Sequence, residues 1–315
     1  LLARDEAEFR ALKAALFVFT DQSRMVEFPP LGGARARRGS RWPARMAALH
    51  TLASQDDPLC VLLAVDNLAA QWPPSAIFDS FHITLTKGED MSPDLILEQA
   101  TMWGYERVSM VTGPGEMSMR GGILDIFTPG YGYPLRLEFF GDTLEDMRLF
   151  DAMSQRSKDS LDQVELIPAG PSIPSPELLE AAAKKQALLL EEGLIDEDQA
   201  HDLAMLLETM SEPVPPAFFY EQPSRLDQWL PPKSIVFAPS DEDLRTALNE
   251  MEERMVATPD SEMGPLLTVE AALEGVGSHR RLVFRDLVMG VGALGVDLPE
   301  RALSTHQELM LDRSL

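Results

Sequence analysis

One cysteine, Cys60, in 315 residues leaves no disulfide framework and no thiolate-rich zinc site. Its neighbours Leu59, Val61, Leu62 and Leu63 describe a buried strand thiol rather than a nucleophile, and a reducing cytoplasm fits best. No apolar run approaches the ~18 residues that span a bilayer, and no basic region followed by an apolar core opens the chain, so no membrane partner is expected. The sequence is also short of positive charge: 27 Lys and Arg face 51 Asp and Glu, a formal net charge of -24. A field of that sign repels a polyphosphate duplex and argues against autonomous DNA binding.

Catalytic signatures are missing as well. There is no Gly-Lys pair, so no phosphate-binding loop ending in Gly-Lys-Ser/Thr. No Gly-x-Ser-x-Gly elbow occurs, and the five histidines (50, 82, 201, 279, 306) never fall at helical metal-pair spacing. A dinucleotide-type match at Gly290, Gly292 and Gly295 has Pro299 close behind and too little chain after it, and reads as a turn or linker. The chain itself is expected to be no enzyme and to hold no cofactor or metal.

What is present is ordinary globular composition, 45% hydrophobic and 25% charged, in a length that predicts two or three domains. Charge divides the chain into blocks: residues 1–80 net 0, residues 81–168 net -8, residues 169–315 net -16. The first block starts with a strand ending near Leu2, a helix over 5–19, a helix from Arg45 to Ser54 and a continuous apolar strand from Leu59 to Val65, the pattern of a covered parallel sheet. That first strand reads as cut short, as in a piece of a longer protein. Trp72-Pro73-Pro74 breaks the block.

From Phe81 a strand, a helix begun by Ser92-Pro93-Asp94, and a ladder of strands at 106–112, 116–127, 135–140, 143–150 and 161–167 predict an antiparallel α+β insert. Acidic helices follow over 176–192 and 196–210, the second with Asp196 and Gln199 at capping-box spacing. The segment 234–238 and the acidic helix after it repeat the opening of the chain, Ala238, Leu244 and Arg245 matching Ala3, Phe9 and Arg10. The outer blocks are therefore expected to share one sheet.

Two surfaces stand out. Arg35, Arg37, Arg38, Arg41 and Arg45 beside Trp42 form a loop able to touch phosphate or stack on a base, or else an ordinary loop before a helix, solvated or paired within the molecule, as the chain's acidity favours. In LRLEFF, strand alternation sends Leu135, Leu137 and Phe139 to one face and Arg136, Glu138 and Phe140 to the other. Along EMSMRGG, Glu116, Ser118 and Arg120 oppose Met117 and Met119, and Gly121-Gly122 can supply a bulge that resets the register, so Arg120 joins the second face if the two strands pair across the TPGYGYP loop. Two arginines and an exposed phenylalanine compose a protein-binding hot spot, or else a solvated face in which Glu138 pairs an arginine.

The run GYERVSMVTGPGEMSMRGGILDIFTPGYGYPLRLEFFGDTLEDMRLFDAMSQRS, 104–157, resembles the second domain of bacterial transcription-repair coupling factors, the Mfd family. The SQRS after the FD pair favours that family over the excision-repair protein UvrB, whose form of the pattern is looser. A weaker resemblance runs over residues 1–290 through SRMVEFPP, RMAALHTL, FFYEQP and IVFAPSDED. It implies a degenerate RecA-like α/β domain in two parts, residues 1–78 and 169–290, split by an inserted UvrA-binding domain at 79–168 and followed by a linker at 291–315. It implies a cytoplasmic adaptor that recruits UvrA to stalled RNA polymerase, with Arg120, Arg136 and Phe140 at the docking positions. ATP, magnesium, double-stranded DNA and RNA polymerase would then belong to other domains of the parent translocase. The alternative is a fragment of a UvrB-type, ATP-dependent subunit that handles damaged DNA.

Overall fold

The computed structural model describes residues 1–283 apart from 22–23, 32–41, 55–56, 79–80, 211–213 and 258–263. The first block opens with β1 (Leu2–Ala3), α1 (Glu6–Phe19), β2 (Met25–Phe28), α2 (Trp42–Ser54), β3 (Cys60–Ala64) and α3 (Ser75–Phe78). The Asp5 carboxylate caps α1 by accepting from the Glu8 amide, and Phe9 and Leu12 turn inward. All pairing among β1, β3 and β2 is parallel, in that order, as the unbroken apolar run of β3 predicts. Cys60 stands at the start of β3, half-buried rather than sealed in the core, because the apolar run closes over only at Leu62.

The second block comprises β4 (Ile83–Thr86), α4 (Pro93–Met102), β5 (Glu106–Arg107), β6 (Glu116–Arg120), β7 (Ile123–Ile126), β8 (Leu135–Phe140), β9 (Thr143–Phe150), β10 (Ser157–Ser160) and β11 (Gln163–Leu166). Six of these strands form one sheet in the order β10-β9-β8-β7-β6-β5, and β11 pairs β4 separately. β8 and β9 have the limits expected from the sequence. The expected strand over 116–127 is two, because Gly121-Gly122 closes a two-residue hairpin with Arg120 opposite Ile123; it is a turn, not a bulge. Gly121 supplies the positive φ of 59°, and a Cβ on Gly122 would meet the Phe139 carbonyl oxygen at 2.6 Å. The expected strand over 106–112 shrinks to Glu106–Arg107, which runs parallel to β6.

The third block holds α5 (Pro176–Glu191), α6 (Glu197–Thr209), α7 (Pro216–Phe219), β12 (Ile235–Ala238), α8 (Asp241–Ala257), α9 (Val269–Gly277) and β13 (Arg280–Val283). The capping box at Asp196 and Gln199 is formed. β12 pairs β13 in parallel. This corrects the expected single sheet: β12 packs beside β1, but the two ladders are separate, β1 offering only two residues to pair.

The blocks are nevertheless joined through polar contacts of long sequence separation. Trp72 and Ser224 exchange backbone hydrogen bonds of 2.8 Å, the Leu267 amide donates to Ala69 O (2.7 Å), and the Trp229 indole donates to Pro73 O (3.1 Å). The insert is rooted where Tyr105 donates its buried hydroxyl to Ile167 O (2.7 Å) and the Ala169 and Gly170 amides donate to Trp103 O, both at 2.9 Å. Leu63 of β3, Leu137 of β8 and Leu248 of α8 belong to one continuous hydrophobic core.

Candidate functional site

Strand alternation orients the sheet of the second block. Leu124, Ile126, Leu135, Leu137 and Met147 bury on its inner face, and the outer face carries Ser118, Arg120, Ile123, Asp125, Arg136, Glu138, Phe140, Asp146 and Arg148. The register sets these in rows across the strands: Arg120, Ile123, Glu138, Asp146 in one and Ser118, Asp125, Arg136, Arg148 in the next. Phe140 lies at the end of β8, beside the Gly121-Gly122 turn, and is 77% exposed.

The three expected site residues share this face but differ in their surroundings. Arg136 is not free. Its guanidinium donates two hydrogen bonds of 2.7 Å to the two oxygens of Asp125 and a third, of 3.1 Å, to Gln155. It also stacks over the Phe150 ring at 4.4 Å. The Arg136 and Asp125 side chains are 19% and 10% exposed, and the bonds to Asp125 push the Arg136 pKa above its already high ordinary value. Arg120 is exposed and donates to the backbone carbonyl of Ser109. Phe140 stands in the open, two strands from Arg120 (about 10 Å across the sheet) and two residues further along.

The rest of the face is ion-paired, as the solvated-face reading anticipates. Arg148 bridges Glu138 and Asp146, and Lys87 donates to Asp146 at 2.8 Å. Lys87 holds the Asp146 carboxyl below its ordinary value. Asp125, Ile123 and Ser109 were not singled out from the sequence. Reading Gly121-Gly122 as a hairpin turn would have set Ile123 opposite Arg120; Asp125 comes opposite Arg136 through the β7–β8 register, across the longer 127–134 connection that no two-residue turn fixes.

The arginine loop lies mostly outside the described residues, as do Gly290, Gly292, Gly295 and the 291–315 tail. Its far end is packed within the molecule, against the nucleic-acid reading of the loop. Trp42 is fully buried, edge-on to Trp72 at 5.9 Å, with the buried Arg45 guanidinium 5.5 Å from its ring centroid, so neither side chain meets a nucleic acid. Among the described residues no three His, Cys, Asp or Glu side chains gather as metal ligands, and no helix is long and apolar enough to cross a membrane.

The block that carries this face of paired charges and one bare aromatic matches a known family model: residues 83–171 match the UvrB interaction domain. Over 225 residues the chain is 30% identical to the transcription-repair-coupling factor of Bacillus subtilis strain 168, covering 67% of the chain and 19% of that relative. It is 37% identical over 125 residues to the factor of Myxococcus xanthus, covering 40% and 10%. Against that of Staphylococcus aureus strain Mu50 it is 27% identical over 268 residues, covering 79% and 22%. The chain thus belongs with the N-terminal module of the transcription-repair-coupling factor family, and in these alignments it spans 10% to 22% of the length of its relatives.

Proposed function

We propose that this chain is a protein-docking adaptor whose second block binds UvrA, the partner implied by the likeness of that block to a UvrB interaction domain. The observation that carries the reading is Phe140. Its ring, 77% exposed at the end of β8 on an otherwise ion-paired sheet face, is of the aromatic type that fills an apolar recess at the centre of a protein interface. Around it the ion-paired face resists non-specific association, and Arg120 offers a charged hydrogen bond at the edge.

In this reading residues 79–168 form the docking domain and are inserted between two parts, 1–78 and 169–290, of one degenerate RecA-like α/β body. The parallel pairing of both outer ladders and the packing of β1 beside β12 support that arrangement. The chain acts by binding alone. Contact with stalled RNA polymerase and DNA, and ATP-driven movement, belong to a longer parent protein in the cytoplasm. The test is co-migration of the chain with purified UvrA on size-exclusion chromatography. A complex formed by the parent chain and lost with Phe140→Ala supports the reading; UvrA that elutes alone beside the folded parent chain refutes it.

A further inference from the structure

The docking face divides its labour unevenly. Among the described outer-face residues of β6 to β9, Ile123 and Phe140 are the large apolar side chains left open, at 38% and 77% exposure. Ile123 sits opposite Glu138, two residues before Phe140 on the same face of β8. That is the diagonal cross-strand relation, about 7–8 Å apart and within reach of an aromatic ring. A β-branched residue at this spot gives the sheet no inner-face packing, so it widens the apolar surface begun by Phe140. The third outer-face apolar residue, Phe150, is buried beneath the Arg136 guanidinium.

The charges divide likewise. Arg136 spends its planar fork on both oxygens of Asp125, one strand away, and a third bond on Gln155 beyond β9. It thereby ties β7 to β8 and to the turn after β9, the strands that carry Ile123 and Phe140. Breaking this partly buried pair to reach a partner would strand the Asp125 carboxylate. Arg120 faces no such cost, since a backbone carbonyl is its hydrogen-bond acceptor and no carboxylate pairs with it among the described residues.

We propose that Ile123 is a second apolar anchor beside Phe140, that Arg120 supplies the charge the partner reads, and that Arg136 is a positioning residue acting through Asp125. The partner surface is then an apolar recess with a carboxylate at its rim. This rests on the UvrA reading above, and UvrA is the probe.

The test is an equilibrium titration of the full chain against UvrA at several ionic strengths, with thermal melting of each variant. Phe140→Ala weakens binding about 30-fold or more and Ile123→Ser about 10-fold, both with the melting temperature of the parent chain. Arg120→Ala weakens binding and flattens its salt dependence. Arg136→Gln and Asp125→Asn weaken it equally, their combination no further, and the salt dependence stays that of the parent chain.

Parent-like binding by Ile123→Ser, with loss in Phe140→Ala, overturns the two-anchor arrangement alone. A flattened salt dependence in Arg136→Gln, with parent-like binding by Asp125→Asn, makes Arg136 a direct contact and overturns its positioning role. Unchanged binding by Phe140→Ala, or no binding by the parent chain, defeats the UvrA reading itself.

Discussion

At the residue scale the site rests on how far each side chain is already committed. Phe140 makes no demand on the fold, so Phe140→Ala leaves thermal stability within about 0.5 kcal/mol of the parent chain, as melting would show, while removing a binding anchor. The outward direction of Arg120, Arg136 and Phe140 was legible in the sequence, because period-two alternation is decisive where one face of a sheet is buried. The partner of Arg136 was not. That depended on the register of β7 against β8 across the long 127–134 connection, which brings Asp125 opposite Arg136 and carries no two-residue turn signal. The partner of Trp42 was hidden for a related reason: its indole lies against Trp72, some thirty residues away in sequence, a contact that no local pattern announces.

At the element scale, β8 and β9 were legible to the residue because Gly141-Asp142 is a two-residue turn between alternating runs. The β6–β7 hairpin has the same chemistry and yields a direct test. Gly121 has φ of 59° and open space where a Cβ would go, so Gly121→Ala meets backbone strain without a clash. It is expected to destabilise the chain by about 1 kcal/mol in urea melts. A larger loss would mean that the turn is packed, contrary to the structure.

The bond from Lys87, just after β4, to Asp146 of β9 gives a pH signature at the same scale. The Asp146 carboxyl is held below its ordinary value of 3.8, so its stabilising contribution is complete above that value and is lost as pH falls through the lowered one. Asp146→Asn should therefore flatten the acid limb of the stability curve. An acid limb identical to that of the parent chain would deny the pair any thermodynamic weight.

At the scale of the whole molecule, the order of an α/β start, an antiparallel insert and an α/β return was readable from changes of hydrophobic period. The separation of the two parallel ladders was not, since a two-residue β1 gives no pattern from which pairing can be inferred. Nor do local patterns announce bonds such as that from the Trp229 indole to Pro73 O, 156 residues away in sequence. Trp229→Phe strands that buried carbonyl and should cost about 1–3 kcal/mol. Because Trp229 belongs to the continuous core of all three blocks, unfolding followed by fluorescence and by far-UV circular dichroism should shift together. Separate shifts would show the blocks to be energetically independent.

The proposed docking role turns on Phe140, exposed at the end of β8. The most direct measurement is a calorimetric titration of UvrA with the parent chain and, in parallel, with Phe140→Ala. The account predicts saturable binding by the parent chain and a loss of about 30-fold or more in the variant at unchanged fold. Equal affinities, or no heat from the parent chain, would contradict it.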